Sequence, residues 1–198
     1  MFDVSRETLE RLEVYAGLLA RWNPAINLVS PSTVPQIWTR HFSDSAQLLD
    51  IAGVTTGKWV DLGSGGGFPG LVIAILAAVQ HPTLQITCVE SDQRKAAFLR
   101  TVARETGTDV QIIAERIESL APLGASVVSA RALAPLHRLV AYAQPHLAEQ
   151  GIALFLKGIG QAPEIEQALA TWAFHLDTIQ SRTDPQSTIL KLRSIRRV

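Results

Sequence analysis

Residues 61–70, Asp-Leu-Gly-Ser-Gly-Gly-Gly-Phe-Pro-Gly, hold the residue types best suited to chemistry. Glycines let a backbone approach a ligand closely, because no Cβ stands in the way. Two spacings can be read here. Gly65, Gly67 and Gly70 satisfy G-x-G-x-x-G, the spacing of a loop that binds the pyrophosphate of a dinucleotide. Pro69 removes a backbone N–H where that pyrophosphate needs one. In the other spacing, Gly63-x-Gly65-x-Gly67 follows Asp61 by two residues. A carboxylate there repels pyrophosphate but suits an ammonium group, directly or through water. Glu90, next to Ser91, ends a second apolar run, where a carboxylate can accept both hydroxyls of a ribose. Ile117 and Glu118 follow a third run, placed to cover an adenine ring and accept its amino group.

Such a loop needs a strand before it and a helix after it, and the pattern supplies both. Lys58 to Leu62 reads as a strand and residues 70–79 as an apolar helix. Further strands are expected at 84–90, 109–114, 125–130 and 151–157, with helices between them. Near-continuous apolar strands alternating with helices predict a parallel sheet covered on both faces. Residues 174–182 and 187–195 read as a closing antiparallel pair. The fold class is therefore α/β, with a mostly parallel sheet over 56–198 and a helical extension over 1–55. In that extension Leu9, Leu12, Ala16 and Leu19 share one predicted helix face, and Pro24 is expected to end the helix. A second helix is predicted from Thr33 to about Ile51, with Val34, Ile37, Trp38, His41, Ser45 and Leu48 on one stripe. Arg40 and Asp44, four apart, read as an ordinary helix-face pair.

The acid followed by Gly63-x-Gly65-x-Gly67 resembles the first motif of class I S-adenosylmethionine-dependent methyltransferases, a Rossmann-like fold. Cys88 lies within a predicted buried strand and reads as an inert core thiol, which argues against cytosine C5 chemistry. The N/D-P-P-Y/F motif of amino-group methylation is replaced by SARALAPL at 129–136. That segment also lacks the acid a ribose-hydroxyl tetrad needs. RHFSDS at 40–45, the glycine loop, ERIE at 115–118, SARALAPL and LKG at 156–158 occur together and in order. In combination they resemble the RsmG (GidB) family of bacterial 16S ribosomal RNA guanine-N7 methyltransferases. The resemblance implies S-adenosylmethionine as cofactor, held at Gly63, Phe68, Ile117, Glu118 and Arg131, which join Asp61, Gly65, Gly67, Glu90 and Ser91. It implies 16S rRNA, within a small-subunit particle, as partner. It also sets Arg40, His41 and Asp44 against the cofactor cleft as candidate substrate residues, with Lys157 at a strand end nearby. Guanine N7 carries a free lone pair, so no catalytic base is assigned.

Lys+Arg and Asp+Glu both number 18 in 198 residues, so no global field draws the chain to nucleic acid or membrane. Local basic groups are Lys191, Arg193, Arg196 and Arg197 in the tail and Arg94, Lys95, Arg100 and Arg104 after Glu90. A hydrophobic share of 47% argues against disorder. A single cysteine excludes an internal disulfide, the histidines lack ligand spacing, and no metal is expected. The start of the chain does not read as a signal peptide, nor any run as a membrane span, which predicts a cytoplasmic protein, taken to be a monomer. The readings from other classes are an NAD(P)-dependent oxidoreductase on Gly65, Gly67 and Gly70, a methyltransferase for a small molecule or protein, and a binding module that keeps the pocket without catalysis.

Overall fold

The computed structural model describes residues 4–158 and 160–198. Helix α1 (Arg6–Ile26) is followed by a 3-10 turn (Pro31–Gln36), a π-helical turn (Trp38–Ser43) and helix α2 (Asp44–Ala52). Strand β1 (Gly57–Leu62), helix α3 (Gly70–Gln80), β2 (Leu84–Val89), α4 (Gln93–Thr106) and β3 (Gln111–Ile113) come next. The chain finishes with β4 (Ala125–Arg131), α5 (Leu136–Ala143), β5 (Leu147–Lys157), α6 (Gln161–Leu169), β6 (Trp172–Gln180) and β7 (Thr188–Arg197). The seven strands form one sheet in the order β3-β2-β1-β4-β5-β7-β6. The first five are parallel, and β7 inserts antiparallel between β5 and β6. The order reverses between β1 and β4, so a crevice opens beyond their carboxyl ends.

Each face of the sheet has its own helical layer. Trp59 of β1 joins one core, with Leu71 and Ile75 of α3 and Phe98 and Val102 of α4. Its neighbours Val60 and Leu62 join the other, against Leu136, Leu139 and Val140 of α5. Leu12, Tyr15 and Leu19 of α1 belong to the first core, so the amino-terminal helices share the sheet's own interior. No described helix is long and apolar enough to cross a membrane.

The buried stripe of α1 differs from the predicted one. It runs Thr8, Leu12, Tyr15, Leu19, Asn23, while Leu9 is 40% exposed. Polar groups close the ends of that stripe: Thr8 shares a hydrogen bond with the N-cap Ser5, and Asn23 Oδ1 accepts from Val29 N–H at 2.9 Å. Apolar periodicity alone therefore selected a face rotated toward Leu9. Pro24 lies inside α1, two residues before its end. Asn27, in the left-handed region, caps the final turn by bonding Asn23 O.

The single helix expected over residues 33–51 is also three pieces. Pro31 and Pro35 hold the first in 3-10 form, and the π turn widens the helix at Arg40 and His41. There the Asp44 N–H bonds to His41 O, and the Arg40 carbonyl accepts from Arg131 outside the helix.

Candidate active site

The glycine loop is held from beneath by Asp61. This carboxylate is fully buried; Oδ2 accepts from Gly70 N–H at 3.1 Å and Oδ1 from Ser129 Oγ at 2.7 Å. Trp59 Nε1 donates in turn to Ser129 Oγ at 2.9 Å. Burial pushes the Asp61 carboxyl up to about 6, opposed by its bonds to Ser64, Ser129 and Gly70 and by Arg131. Asp61 thus does not line the cleft as a direct ammonium partner: both its oxygens face donors of the protein. Gly67 likewise turns inward. Its φ is +93°, and a Cβ there would meet the Tyr15 hydroxyl and stand 2.7 Å from Leu71 Cδ1. A Cβ at Gly70 would lie 2.6 Å from Cys88 Sγ and 2.8 Å from Asp61 Cβ. Gly70→Ala is expected to destabilise by about 1–3 kcal/mol through overpacking, read as a lower urea midpoint at unchanged m. Cys88 is buried and its thiol is pushed up by burial and by Asp61, so it stays protonated.

The loop's amides decide between the two spacings. Ser64 N–H bonds Val89 O, Gly67 and Phe68 N–H bond Ser64 O, and Gly65 N–H bonds Glu90 Oε2. Gly70 N–H is committed to Asp61, and Pro69 has none. A pyrophosphate needs such donors pointing outward. The amides of Ser64, Gly65, Gly67, Phe68 and Gly70 are all bonded within the protein, which counts against the dinucleotide reading.

What remains is a cleft of about 590 Å³ beyond β1, β2 and β4. Gly63, Gly65, Phe68, Glu90, Ser91, Ile117, Glu118 and Arg131 line it, as do Arg40, His41 and Asp44. Glu90 is aimed by two amides: Oε2 accepts from Gly65 N–H and Oε1 from Asp92 N–H, both at 2.8 Å. Each oxygen keeps a lone pair for a hydroxyl donor. Glu118 is exposed, and its carboxyl is held below the usual range by its own backbone amide and the Tyr142 hydroxyl.

Arg131 is the hub of the opposite wall. It leaves the carboxyl end of β4, and its nearest carboxylate is Asp44, with Nη1 at 3.8 Å from Asp44 Oδ2. Nη1 donates to Arg40 O at 3.1 Å, Nη2 meets His41 Nδ1 at 2.6 Å, and the guanidinium covers the Phe68 ring at 4.9 Å. A guanidinium only donates, so His41 Nδ1 must accept, and the imidazole is neutral with its proton on Nε2. That Nε2–H faces Thr33 Oγ1 at 2.9 Å. Burial, then Arg131 and Arg40, lower His41 to about 3. The predicted Arg40–Asp44 helix pair does not form. Arg40 pairs with Asp184 at 3.2 Å, because the π turn rotates it away from Asp44.

Asp44 Oδ1 accepts from Gln47 Nε2, Ser181 Oγ and Thr183 Oγ1 at 2.9–3.0 Å. The β6–β7 turn is thereby drawn over the cleft, and Asp184 and Ser187 join its lining. Leu28, Val29 and Thr33 contribute from the other side. Sequence reasoning missed these residues. The turn carried only a Thr-Asp-Pro-Gln signal, with nothing to say which element it would cover. Lys157 sits at the end of β5 but is engaged, with Nζ 2.7 Å from Glu164 Oε2 and 3.3 Å from Ala134 O.

A family model described as rRNA small subunit methyltransferase G matches residues 8–189. The chain belongs to that family. It is 52% identical over 196 residues to the ribosomal RNA small subunit methyltransferase G of Ruegeria pomeroyi, covering 99% of this chain and 96% of that protein. The protein of the same name from Paramagnetospirillum magneticum is 54% identical over 194 residues, covering 98% and 92%. Among solved structures, a TehB-like SAM-dependent methyltransferase from Corynebacterium glutamicum aligns with a TM-score of 0.60 at 13% identity, covering 93% and 98%. A ribosomal protein L11 methylase from Lactobacillus delbrueckii aligns with a TM-score of 0.60 at 20% identity, covering 78% and 77%. These structures share the class I methyltransferase fold of this family member.

The residues fit the family's cofactor, S-adenosylmethionine. It carries no phosphate, matching a loop most of whose amides are bonded within the protein, and the aimed Glu90 carboxylate keeps lone pairs that a ribose would use. Ile117, Glu118, Phe68 and Arg131 line the same cleft as Glu90.

Proposed function

We propose that this chain transfers the methyl of S-adenosylmethionine to N7 of a guanine in 16S rRNA of the small ribosomal subunit, by in-line attack without a general base. The observation that carries the reading is the state of His41. Its Nδ1 lone pair is taken by Arg131 and its Nε2 proton faces Thr33, so the imidazole has no capacity left to accept a proton. The lowered Glu118 carboxyl is a weak base. A hydroxyl or exocyclic amine needs a base before or during attack. Guanine N7 does not, because its lone pair is already free. When bound, the cofactor supplies an electrophilic methyl. The chain's own part is to orient the ribose through Glu90, exclude water around Phe68 and bring the base into line. The names of its relatives support an rRNA substrate.

Label transfer from tritiated S-adenosylmethionine to small subunits lacking N7 methylation tests the proposal, with free 16S rRNA and a no-RNA control alongside. The expected product is 7-methylguanosine by mass spectrometry of nucleosides. Label in any other nucleoside, or none despite cofactor binding, overturns it. With no group titrating in the chemical step, the single-turnover rate is expected to be flat from about pH 6.5 to about pH 8.5. A bell-shaped profile in that range would instead reveal a base.

A further inference from the structure

Beside the main cleft, at the carboxyl ends of β4 and β5, lies a smaller recess of about 190 Å³. Asp44, Arg131, Ala132, Leu156, Lys157 and Ser187 line it. Asp44, Arg131, Ala132 and Ser187 also line the main cleft, so the two spaces share a wall. The recess is on the β4 side, and Glu90 does not line it.

Its polar groups are unequally committed. The Lys157 ammonium is held by Glu164 and the Ala134 carbonyl. Arg131 is held by the Arg40 carbonyl and His41. Asp44 Oδ1 accepts three hydrogen bonds, from Gln47, Ser181 and Thr183. Asp44 Oδ2 has no hydrogen-bond donor among the described residues, and Arg131 Nη1 at 3.8 Å is its nearest cation. One oxygen of a 9%-exposed carboxylate is thus held in place through its sister oxygen and left without a donor, in a residue that lines both spaces.

We propose that Asp44 is both a specificity-determining and a catalytic residue: Oδ2 accepts the N1–H of the target guanine while N7 faces the methyl donor. The proposal rests on the guanine-N7 reading above and adds the group that selects the base. The Watson–Crick edge of guanine presents N1–H as a donor, whereas adenine presents a lone pair at N1, which a carboxylate repels. Bases drawn out of a stack are read on that edge. In the reaction the N7 lone pair forms the new N–C bond as the methyl–sulfur bond breaks, its electron pair staying on sulfur. The positive charge passes to the purine and no proton moves. Charge on the purine makes N1–H more acidic, so its bond to Asp44 strengthens as the methyl arrives. An interaction that grows toward the transition state accelerates the step.

The test compares wild type with Asp44→Asn on small-subunit RNA, after the wild type has been shown to make 7-methylguanosine and the modified guanine has been mapped. Asn can still accept at Oδ1, but it presents an amide donor where Oδ2 stood. The expected result is unchanged cofactor affinity by calorimetry and a single-turnover rate lower by about 100-fold. The distinguishing readout is alkaline pH, where guanine N1 ionises. There the wild-type rate falls while the Asp44→Asn rate rises, because an amide donor suits the anionic N1. Ser181→Ala removes one donor to Oδ1 and leaves Oδ2, so it should keep the wild-type direction of that pH dependence. A slow Asp44→Asn enzyme with the wild-type profile means a purely structural residue and overturns the proposal, as does a variant with full activity. Should the variant not fold, wild-type enzyme is given RNA carrying N1-methylguanine at the mapped position. Loss of transfer supports the assignment and an ordinary rate overturns it. Failure of the wild type to make 7-methylguanosine removes the guanine-N7 reading itself, an outcome distinct from either.

Discussion

Arg131→Ala is expected to cost about 3 kcal/mol of stability and to slow methyl transfer by about 100-fold or more. The side chain is 16% exposed and makes four interactions that nothing else replaces. Its removal leaves Asp44 without a cation and the Arg40 carbonyl and His41 Nδ1 without a donor. Breaking a buried pair costs about 3–5 kcal/mol in general, and the three donors on Asp44 Oδ1 place this case at the low end. The rate effect follows from the proposed placement of the base, since Arg131 lines both the main cleft and the recess beside it. Arg131→Lys keeps the charge but not the planar fork, and should recover stability better than rate.

The same variant has a signature in pH. Folded His41 takes a proton only near 3, because of burial and then Arg131, whereas the unfolded imidazole takes one near 6.5. Between those values the unfolded chain binds more protons, so this contribution to stability is lost as pH falls through that window. Without Arg131 the His41 pKa rises and the window narrows. Urea unfolding at a series of pH values should show a shallower acid slope for Arg131→Ala than for wild type. An unchanged slope would mean that the guanidinium does not act on the imidazole.

Asp61 provides the second large effect, with the opposite sign. Its folded carboxyl is raised from 3.8 to about 6 by burial. The folded chain therefore binds the extra proton between those values. The contribution is fully present below about 3.8 and lost as pH rises through 6, an amount on the order of 3 kcal/mol. In wild type this slope opposes that of His41 across the shared window. Asp61→Asn abolishes it, so the stability of that variant should climb more steeply with pH from about 4 to about 6. Asn can still accept from Gly70 N–H through its oxygen, and Ser129 Oγ can rotate to accept from its amide. Asp61→Ala offers no acceptor, orphans two buried donors at about 1–3 kcal/mol each, and frees the amino end of α3. Cofactor binding should survive in Asp61→Asn and be lost in Asp61→Ala, measured by calorimetry beside the unfolding curves. Equal behaviour of the two variants would show that the loop does not depend on this acceptor.

Sequence by itself determined the strand–helix alternation, the parallel sheet with its closing antiparallel pair, the place of the glycine loop and the family resemblance. Each rests on local spacing: apolar runs set strands, glycines set the loop, and an acid just after β2 marks the proposed ribose partner. Tertiary structure alone decided which way those residues face and whom they meet. Asp61 looked like a ligand group, yet the register of β1 beside β4 sets it against Ser129 and turns it inward. Arg131 meets His41 across 90 positions of sequence, and Asp44 meets Thr183 across 139, separations at which no spacing rule operates. Lys157, a candidate at a strand end near the cleft, is instead engaged because α6 folds back with Glu164. The π turn is the clearest case, since it arises in a segment whose apolar stripe reads as an ordinary helix. By redirecting Arg40 to Asp184 it leaves Asp44 and the Arg40 carbonyl to Arg131, and so builds the wall on which the proposed chemistry depends.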